Sequence, residues 1–304
     1  MKQLITTSYK PSPIANTQLK LFVNDTTPTK AKSRPKVTAN KFIINAIGDI
    51  DGDGEFSLKD VALQLIKNKQ NEWSPLDEDG DFRSDESISL LKQSDFVITN
   101  PPFSLFREYL KQLVDYDKKF LIIANINAIT YKEVFPLIKE NKIWLGTGMG
   151  RWISGFIVPE SYELYVTEAR INEDGKRIVA TNNCLWLTNL DHGKRHQPLP
   201  LMTMADNKKY NKQIQNNKTS YKKYDNYDAI EVPYTNAIPS DYNGVMGVPI
   251  TFLDKYNPEQ FELLGIMNTG EENKGIRYKG TPHGRPVVNG VEKYLRILIK
   301  NRNL

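Results

Sequence analysis

The sequence predicts an α/β fold followed by a β-rich region, and three observations support this prediction. Between about residues 42 and 145, apolar runs typical of strands alternate with segments of helical periodicity. This is the pattern of βαβ units, in which a parallel sheet has helices on both faces. After residue 150 the helical pattern stops and short β-branched runs follow. The 304 residues, 39% of them hydrophobic, suffice to bury a core in one large domain or two smaller ones.

Strands are predicted where apolar or β-branched residues cluster into short runs. These runs lie at 4–7, 19–23, 42–47, 96–99, 120–124, 143–145, 155–158, 164–166, 178–180 and 185–187. The run at 120–124 has no polar alternation, which predicts a strand buried on both faces. The runs after residue 150 are expected to pair antiparallel.

Helices are predicted from apolar residues at i,i+4 spacing and from residues that can cap a helix N-terminus. Their expected bounds are 60–69, 84–93, 105–113 and 130–140, and one further helix is expected to open at 257–260. Ser84 should cap the second helix, and Thr130 with Glu133 should form a capping box on the fourth. Pro136 should kink that fourth helix or mark a shorter one. The Tyr/Lys/Asn-rich stretch 205–235 is expected to be a loop.

The charge is distributed unevenly although the net value is only +5. Residues 1–40 carry a net +6, residues 41–204 a net −5, and residues 205–304 a net +4. An acidic centre between basic ends fits a polyanion-binding protein with a separate chemical site. Lysine-rich loops that only confer solubility explain the same distribution, so both interpretations stay open.

Cysteine content and hydropathy narrow the class of protein. The single Cys184 excludes a disulfide framework and a multi-cysteine zinc site, and it indicates a reducing, cytoplasmic compartment. The longest apolar stretch, 120–129, is too short to span a bilayer. The first ten residues lack the apolar core of a secretory signal, so none is expected. Enzyme, nucleic-acid binder and scaffold all remain open at this point.

The chemistry-bearing segment is Asn100–Pro101–Pro102–Phe103, directly after the predicted strand 96–99. Ligands in α/β sheets bind at the carboxyl ends of strands, which is where this loop should lie. Two prolines fix their φ angles and have no N–H group to donate. The backbone of the loop is therefore rigid, and its carbonyl oxygens are available to accept hydrogen bonds from a ligand. With the Asn100 side-chain oxygen, they could receive both hydrogens of an exocyclic amino group, and Phe103 offers a face for a planar base. An ordinary proline-rich turn is the alternative for the tetrapeptide alone.

Asn-Pro-Pro-Phe at a strand end resembles the catalytic motif of amino-group DNA methyltransferases, chiefly the adenine-N6 enzymes. The stretches GDFRSDES, DFVITNPPFSLFREYL and YDKKFLIIANINAITYKEVFPLIKENKIWLG are similar to the EcoRI-type adenine-specific methyltransferases. The resemblance continues through NNCLWLTNLDHGKRHQPLPLMT and YDNYDAIEVPYTNAIPSDYNGVMGVPITFLDKYNPEQFELLGI, so it covers most of the chain. It implies a Rossmann-like, S-adenosylmethionine-dependent methyltransferase sheet.

The resemblance also implies a mechanism and roles for individual residues. The target adenine leaves the helix stack, and Asn100 Oδ1 with the Pro101 carbonyl accepts from its N6 amino group. Phe103 stacks on the flipped base. The reaction depends on how the base and the cofactor are positioned and not on acid–base catalysis, so no catalytic histidine is needed. Asp81 would accept from the amino group of the cofactor's adenine, and Phe82 would pack on its ring. A turn aspartate before a helix is the alternative for Asp81.

One expected part of the fold is not found in the sequence. In relatives, the first strand ends in a glycine-containing or acidic loop that holds the methionine part of S-adenosylmethionine. The 4–7 run already corresponds to the second strand, and the glycines of 146–150 follow the catalytic loop and are interpreted as a flexible connector. We therefore expect an N-terminally truncated methyltransferase that binds its cofactor weakly or not at all, so the chain as given could be inactive.

An aspartate-rich loop has the oxygen-ligand spacing of a calcium site. Its candidate ligands are Asp49, Asp51, Asp53, the Glu55 carbonyl and Asp60, with Gly54 at the sharp turn. A structural Ca²⁺ would suit this loop. The alternative is an acidic Asp-Gly turn in which Asp60 caps the following helix.

The resemblance predicts a division of labour along the chain and a set of partners. Residues 1–200 would form the catalytic domain, incomplete at its N-terminus, and residues 201–304 the target-recognition region. The latter contains lysines that suit phosphate contacts, interleaved with tyrosines that suit some stacking: Lys208, Lys209, Lys212, Lys218, Lys222, Lys223, Tyr210, Tyr221 and Tyr224. A solvated polar loop is the alternative for this segment. Double-stranded DNA is the expected partner. The protein is expected to be a monomer and to form no stable complex with the cognate restriction endonuclease. A non-catalytic DNA-binding remnant and a calcium-stabilised interaction module are the competing interpretations.

Overall fold

The structure is a computed structural model. It describes residues 3–10, 17–18, 29–30, 39–45, 48–50, 52, 54, 63–64, 70–149, 155–158, 169–171, 175–180, 183–267 and 284–302. By packing, the chain divides into two units, residues 1–94 and 95–304. In the part of the chain that is described, no helix is long and apolar enough to cross a membrane.

The first unit contains a three-stranded antiparallel sheet. Its strands are β1 (Gln3–Thr7), β4 (Asn40–Asn45) and β5 (Glu72–Pro75), and β4 lies between the other two. Two short strands, β2 (Thr17–Gln18) and β3 (Thr29–Lys30), pair separately. The prediction that the 42–47 strand belongs to a parallel sheet is therefore wrong. β4 pairs antiparallel with β1 on one side and with β5 on the other, so none of its pairings is parallel.

The first unit ends in helix α1 (Asp85–Gln93), as its N-terminal signals predict. Ser84 caps it by accepting from Ser87 N at 3.2 Å, and Asp85 with Glu86 complements the helix dipole. Glu86 also pairs with Lys41 on β4 at 3.3 Å, which attaches the helix to the sheet.

The main sheet of the second unit has four strands in the order β6-β7-β12-β8. They are β6 (Phe96–Thr99), β7 (Lys119–Asn125), β8 (Trp144–Met149) and β12 (Cys184–Thr188). β6 and β7 are parallel, and β12 is antiparallel to both β7 and β8. β6, β7 and β8 therefore run in the same direction, so their carboxyl ends meet at one edge.

Helix α2 (Phe106–Asp115) connects β6 to β7 as the crossover of a βαβ unit. Its buried face, formed by Phe106, Leu110 and Leu113, has the spacing of one helix stripe. β7 buries Phe120, Ile122 and Ala124 completely, whereas the residues between them are half-buried. The prediction of equal burial on both faces of β7 is therefore wrong, because only one face is fully covered.

Two further predictions about this region need correction. The 130–140 segment is not one helix: a 3₁₀ helix spans Ile126–Thr130, and α3 (Phe135–Lys139) follows with Pro136 in its first turn. The Thr130–Glu133 capping box does not form, because the Thr130 hydroxyl donates to the Asn127 carbonyl instead. Gly146 lies in β8 and not in a flexible connector, since an added Cβ would lie 2.7 Å from Trp186 Cβ on β12.

Three further strands of the second unit form an antiparallel sheet, and two of them were predicted, at 155–158 and 178–180. They are β9 (Gly155–Ile157), β10 (Ala169–Ile171) and β11 (Arg177–Ala180), in the order β10-β11-β9. The predicted strands at 19–23 and 164–166 lie outside the described residues, as does most of the predicted helix 60–69.

The C-terminal part is β-rich, as predicted. Its four-stranded sheet has the order β13-β14-β18-β15, with a separate hairpin of β16 and β17. The strands are β13 (Ile230–Glu231), β14 (Met246–Pro249), β15 (Phe261–Ile266), β16 (Val287–Val288), β17 (Val291–Glu292) and β18 (Arg296–Asn301). Strand β18 is fully buried at Ile297, Leu298 and Ile299, which belong to the core of this part of the chain.

The predicted loop and the predicted last helix differ from the structure in this part. Helices α4 (Met204–Tyr210) and α5 (Lys212–Gln215) occupy the start of the 205–235 stretch, capped by Thr203 and Asn211. The 257–260 segment is a turn, and β15 follows it directly. Phe261 and Leu263 are buried and Glu262 is exposed, so alternation with a period of two outweighs the helix-opening signal at Asn257.

Candidate active site

The Asn100–Phe103 loop begins where β6 ends, at the carboxyl edge of the main sheet. Pro101 is buried and anchors the loop, while the side chain of Asn100 is exposed. Among the described residues, no group donates to the Asn100 side chain or to the Pro101 carbonyl. The Pro102 carbonyl, by contrast, accepts from Leu105 N at 3.0 Å and closes the following 3₁₀ turn. The loop therefore offers two acceptors rather than three.

Phe103 provides an aromatic face next to these acceptors. It opens the 3₁₀ helix Phe103–Leu105, and 44% of the residue is exposed. The neighbouring Phe106 turns into the core and starts α2, so the two phenylalanines have different roles. A large exposed aromatic side chain beside free acceptors is suited to stack on a flat ring.

The loop after β7 lies at the same edge and was not predicted as part of the site. Asn125 Oδ1 accepts from Asn127 N at 2.9 Å and caps the 3₁₀ helix, and Ile126 N donates to the Asn183 carbonyl at 2.8 Å. An asparagine directly after a buried parallel strand is a signal that could have identified this loop from the sequence. Asn127 is exposed there.

An arginine connects the two loops. The Arg107 guanidinium on α2 lies 4.4 Å from the centre of the Tyr131 ring, and its Nε lies 3.6 Å from Glu133 Oε2. Because Arg107 follows the first loop and Tyr131 the second, this stack fixes the distance between them. Sequence reasoning missed Arg107, since its partner lies 24 residues away along the chain.

The second predicted pair, Asp81 and Phe82, lies in the first unit, in the turn that leads into α1. Both Asp81 carboxylate oxygens accept from the Arg83 side chain, with Oδ1 at 2.9 Å from Nε and Oδ2 at 2.8 Å from the terminal nitrogen. This bond to Arg83 holds the pKa of Asp81 below its ordinary value. The Arg83 guanidinium also lies 5.3 Å from the centre of the Phe82 ring. Arg83 is thus a third member of this group, which the sequence did not predict.

Gly80 sets the path of the chain before Asp81. Its φ is +78°, and a Cβ there would lie 2.2 Å from the Ser8 carbonyl oxygen and 3.0 Å from Ala39 Cβ. Only glycine fits this close approach without a shift of the backbone. The turn that carries Asp81 and Phe82 is therefore pressed against the sheet of the first unit.

Four of the five candidate calcium ligands, Asp51, Asp53, Glu55 and Asp60, lie outside the described residues. The fifth, Asp49, accepts from Gly52 N at 2.6 Å and from Gly54 N at 2.8 Å. These two bonds fold the loop back onto Asp49. Within the described residues, no group of three or more acidic, histidine or cysteine side chains could hold a metal ion.

Of the three histidines, two lie within the described residues, and both contact neighbouring groups of the chain. His192 Nε2 lies 2.9 Å from the Leu145 carbonyl. His196 lies between Asp191 and Glu259, at 2.9 Å and 3.2 Å. These bonds, first that to Asp191, raise the pKa of His196 above its ordinary value. His283 lies outside the described residues.

The basic segment separates into exposed cations and buried rings. Lys208, Lys209, Lys212, Lys218, Lys222 and Lys223 are all exposed, and so is Tyr210. Tyr224 is 3% exposed and belongs to the core, so its predicted stacking role is wrong. Tyr221 is half-buried and donates to the Ala237 carbonyl at 2.7 Å. Tyr210 is the ring of this set that a partner can reach.

Comparison with known proteins matches residues 1–302 to the family described as adenine-specific methyltransferase EcoRI. The chain belongs to this family. The resemblance stated from the sequence is thereby confirmed. Membership in the EcoRI methyltransferase family implies use of S-adenosylmethionine.

Three relatives illustrate how much of the family's length the chain spans. It is 64% identical over 226 residues to the Type II methyltransferase M.EcoRI of Escherichia coli, covering 74% of this chain and 63% of that protein. It is 39% identical to M.MgeORF184P of Mycoplasma genitalium and 37% identical to M.MpnI of Mycoplasma pneumoniae. These two matches cover 74% and 75% of this chain, and 70% of each relative. No solved structure matches the chain.

Proposed function

We propose that this chain acts on DNA as an adenine-N6 methyltransferase of a restriction–modification system. The observation that carries the proposal is the pair of free acceptors, Asn100 Oδ1 and the Pro101 carbonyl, beside the exposed ring of Phe103. This group lies at the carboxyl end of a parallel strand, where α/β proteins bind their ligands. Family membership and the names of the relatives support the same reaction.

The two acceptors define what the site can hold. An exocyclic amino group has two hydrogens, and each acceptor can receive one of them. Accepting both hydrogens keeps the nitrogen lone pair localised and fixes its direction. A base in this position is out of the helix stack, and Phe103 replaces one of its stacking neighbours. The protein contributes position and orientation, which suffices for an in-line displacement.

Asp81 and Phe82 fit the adenine end of S-adenosylmethionine in this proposal. When bound, S-adenosylmethionine supplies an electrophilic methyl group on a positively charged sulfur. Arg83 occupies three of the acceptor positions of Asp81, counting its backbone N–H, and a carboxylate offers about four. The remaining position on Oδ2 can accept from an amino group, and the lowered pKa keeps Asp81 ionised for that purpose.

The proposal also includes a Rossmann-like fold and the assignment of catalysis and target recognition to different parts of the chain. β6, β7 and β8 with their crossovers would form part of a Rossmann-like sheet, and residues 1–200 the catalytic region. Residues 201–304 would recognise the target through the exposed lysines of 208–223, which suit contacts to DNA phosphates.

Product analysis tests the reaction class. The chain is incubated with plasmid DNA and methyl-labelled S-adenosylmethionine, and the DNA is digested to nucleosides and examined by mass spectrometry. The proposal predicts label in N6-methyladenine. Label in a methylated cytosine would refute the adenine assignment. Tight DNA binding without any methyl transfer would favour the competing function, a non-catalytic DNA-binding remnant.

A further inference from the structure

We propose that the β16–β17 hairpin, residues 285–294, is a second DNA-contacting element, in which Tyr294 stacks on a base while neighbouring lysines contact phosphates. The inference rests on the proposed function in that the partner is the same DNA. It adds a contact region outside both the catalytic loop and the lysine-bearing helices α4 and α5.

The hairpin turn is held in a single conformation by one aspartate. Asn289 and Gly290 both have positive φ, 52° and 74°, as a two-residue hairpin turn with right-handed strand twist requires. Asp225 Oδ2 accepts from Gly290 N at 2.7 Å, and Oδ1 accepts from Asn289 N at 3.3 Å. The turn amides are therefore satisfied by a side chain from another part of the chain, 64 and 65 residues away.

The base of the hairpin is fixed by buried polar groups. Asn226 Oδ1 accepts from Val287 N at 2.9 Å, and its Nδ2 donates to the Arg285 carbonyl at 2.8 Å. The Tyr227 hydroxyl donates to the Gly284 carbonyl at 2.5 Å. Asn226 is 4% and Tyr227 3% exposed, so breaking these bonds would leave buried groups unsatisfied. The hairpin is thus a rigid projection and not a mobile loop.

Despite this anchoring, the hairpin presents large apolar side chains to solvent. Tyr294 is 85% exposed and Val291 is 58% exposed, whereas Val288, which pairs with Val291 across the hairpin, is fully buried. Tyr294 is the most exposed of the large hydrophobic side chains in the described residues. The backbone on both sides of Tyr294 is fixed. Before it, Lys293 N donates to the Pro286 carbonyl at 2.7 Å, and after it, Arg296 begins strand β18. Because the backbone that carries Tyr294 is already fixed, binding has to order only the side chain.

The charges around the hairpin leave an excess of cations. Glu292 pairs with Arg285 at 3.0 Å, and Asp228 pairs with Lys223 at 2.7 Å. Asp225 keeps its negative charge while it accepts from the turn amides, so three carboxylates stand against the four cations Arg285, Lys223, Lys222 and Lys293. In the described part of the chain, Lys222 and Lys293 have no carboxylate partner. Three chain steps separate Lys222 from Asp225, so its Cα lies within about 11 Å of the residue that holds the turn.

This combination of features fits nucleic acid best. Aromatic side chains stack on bases whatever the sequence, and apolar wedges enter steps that are already unstacked. Extrusion of a target base creates such a step. Flanking lysines supply the phosphate contacts that such a wedge needs.

Fluorescence anisotropy with a short fluorescein-labelled DNA duplex of mixed sequence tests the inference. Tyr294→Ala should weaken binding about 5- to 100-fold, the range for loss of one base stack. Tyr294→Phe is the matched control and should stay within about two-fold of wild type, because the ring remains. Lys293→Ala, within the hairpin itself, should lower the slope of log affinity against log salt by about 1. Because Tyr294 is so exposed, Tyr294→Ala should melt at the wild-type temperature.

Wild-type affinity in Tyr294→Ala at every salt concentration would overturn the hairpin proposal, as would failure of the wild-type chain to bind the duplex. Neither binding result depends on methyl transfer. If the chain binds DNA but methylates nothing, the proposed function fails while the Tyr294 comparison still decides the hairpin.

Discussion

At the residue scale, Asn100, Pro101 and Phe103 lie where the sequence predicted them, because their placement depends on local signals. A strand followed by two prolines and a helix start determines the loop, whatever packs around it. Arg83 and Arg107 could not be predicted in the same way. Their roles depend on side-chain contacts, since Arg83 pairs with Asp81 and Arg107 stacks on Tyr131.

His196 provides a test of electrostatics at a single residue. Asp191 and then Glu259 raise its pKa above the ordinary 6.5, while Arg195 opposes them. The stability that protonated His196 contributes is therefore fully present below about pH 6.5 and is lost as pH rises through the folded-state pKa. NMR titration of the His196 ring should give a midpoint above 6.5. The stability difference between wild type and His196→Gln in urea should shrink as pH rises from about 6.5 through the folded-state pKa; a constant difference would refute the assigned contacts.

At the element scale, positions were predicted well where local signals are clear. Capping residues mark α1, an apolar stripe marks α2, and a short apolar run marks β6. Predictions failed where a capping signal competed with a burial pattern. Asn257 can cap a helix, but the alternation from Phe261 onward requires a strand, and tertiary burial decides. The prediction of strand direction in the first unit also failed, because the apolar runs of β1, β4 and β5 do not specify parallel or antiparallel pairing.

Gly80 should be the most sensitive glycine in the turn that carries Asp81. Gly80→Ala combines a positive φ with a Cβ 2.2 Å from the Ser8 carbonyl, whereas Gly52 has a similar φ of +77° and open space around it. Gly52→Ala should therefore cost only the left-handed strain, about 1–2 kcal/mol, and Gly80→Ala clearly more. Urea unfolding measures both variants, and equal losses would contradict the described contact.

A buried ion pair connects two strands of the C-terminal sheet. Glu231 on β13 accepts from Arg296 on β18 at 2.7 Å and 3.1 Å, and it also accepts from the Tyr224 hydroxyl. Burial, followed by the Glu231 charge, raises the pKa of Tyr224, so its phenol stays protonated and donates. Glu231 is 1% exposed, so loss of its partner leaves an uncompensated charge.

Arg296→Met should therefore destabilise the chain by about 3–5 kcal/mol, and adding Glu231→Leu should restore most of that loss. The control is Lys111→Met, which breaks an exposed pair with Asp115 on α2 and should change the free energy of unfolding by at most about 0.5 kcal/mol. Equal effects of the two single variants in urea unfolding would show that the Glu231–Arg296 pair is not buried in solution.

At the scale of the whole molecule, the family and the α/β character followed from the sequence, and the order of strands did not. The insertion of antiparallel β12 between β7 and β8 depends on contacts between distant segments, which a single sequence does not reveal. The same applies to Asp225, which satisfies a turn more than 60 residues away. The matched part of the chain covers 63% of the length of M.EcoRI.

The central claim is that Asn100 holds the amino group that is methylated, and single-turnover methyl transfer by Asn100→Ala tests it most directly. Asn100 is exposed and carries no structural hydrogen bond in the described residues, so the variant should fold and bind DNA as wild type does. Its methyl-transfer rate should fall by about 100-fold or more, the loss typical of a preorganised polar contact to the reacting group. Asn127→Ala, at the neighbouring loop, should retain most of the rate. A wild-type rate in Asn100→Ala would contradict the account.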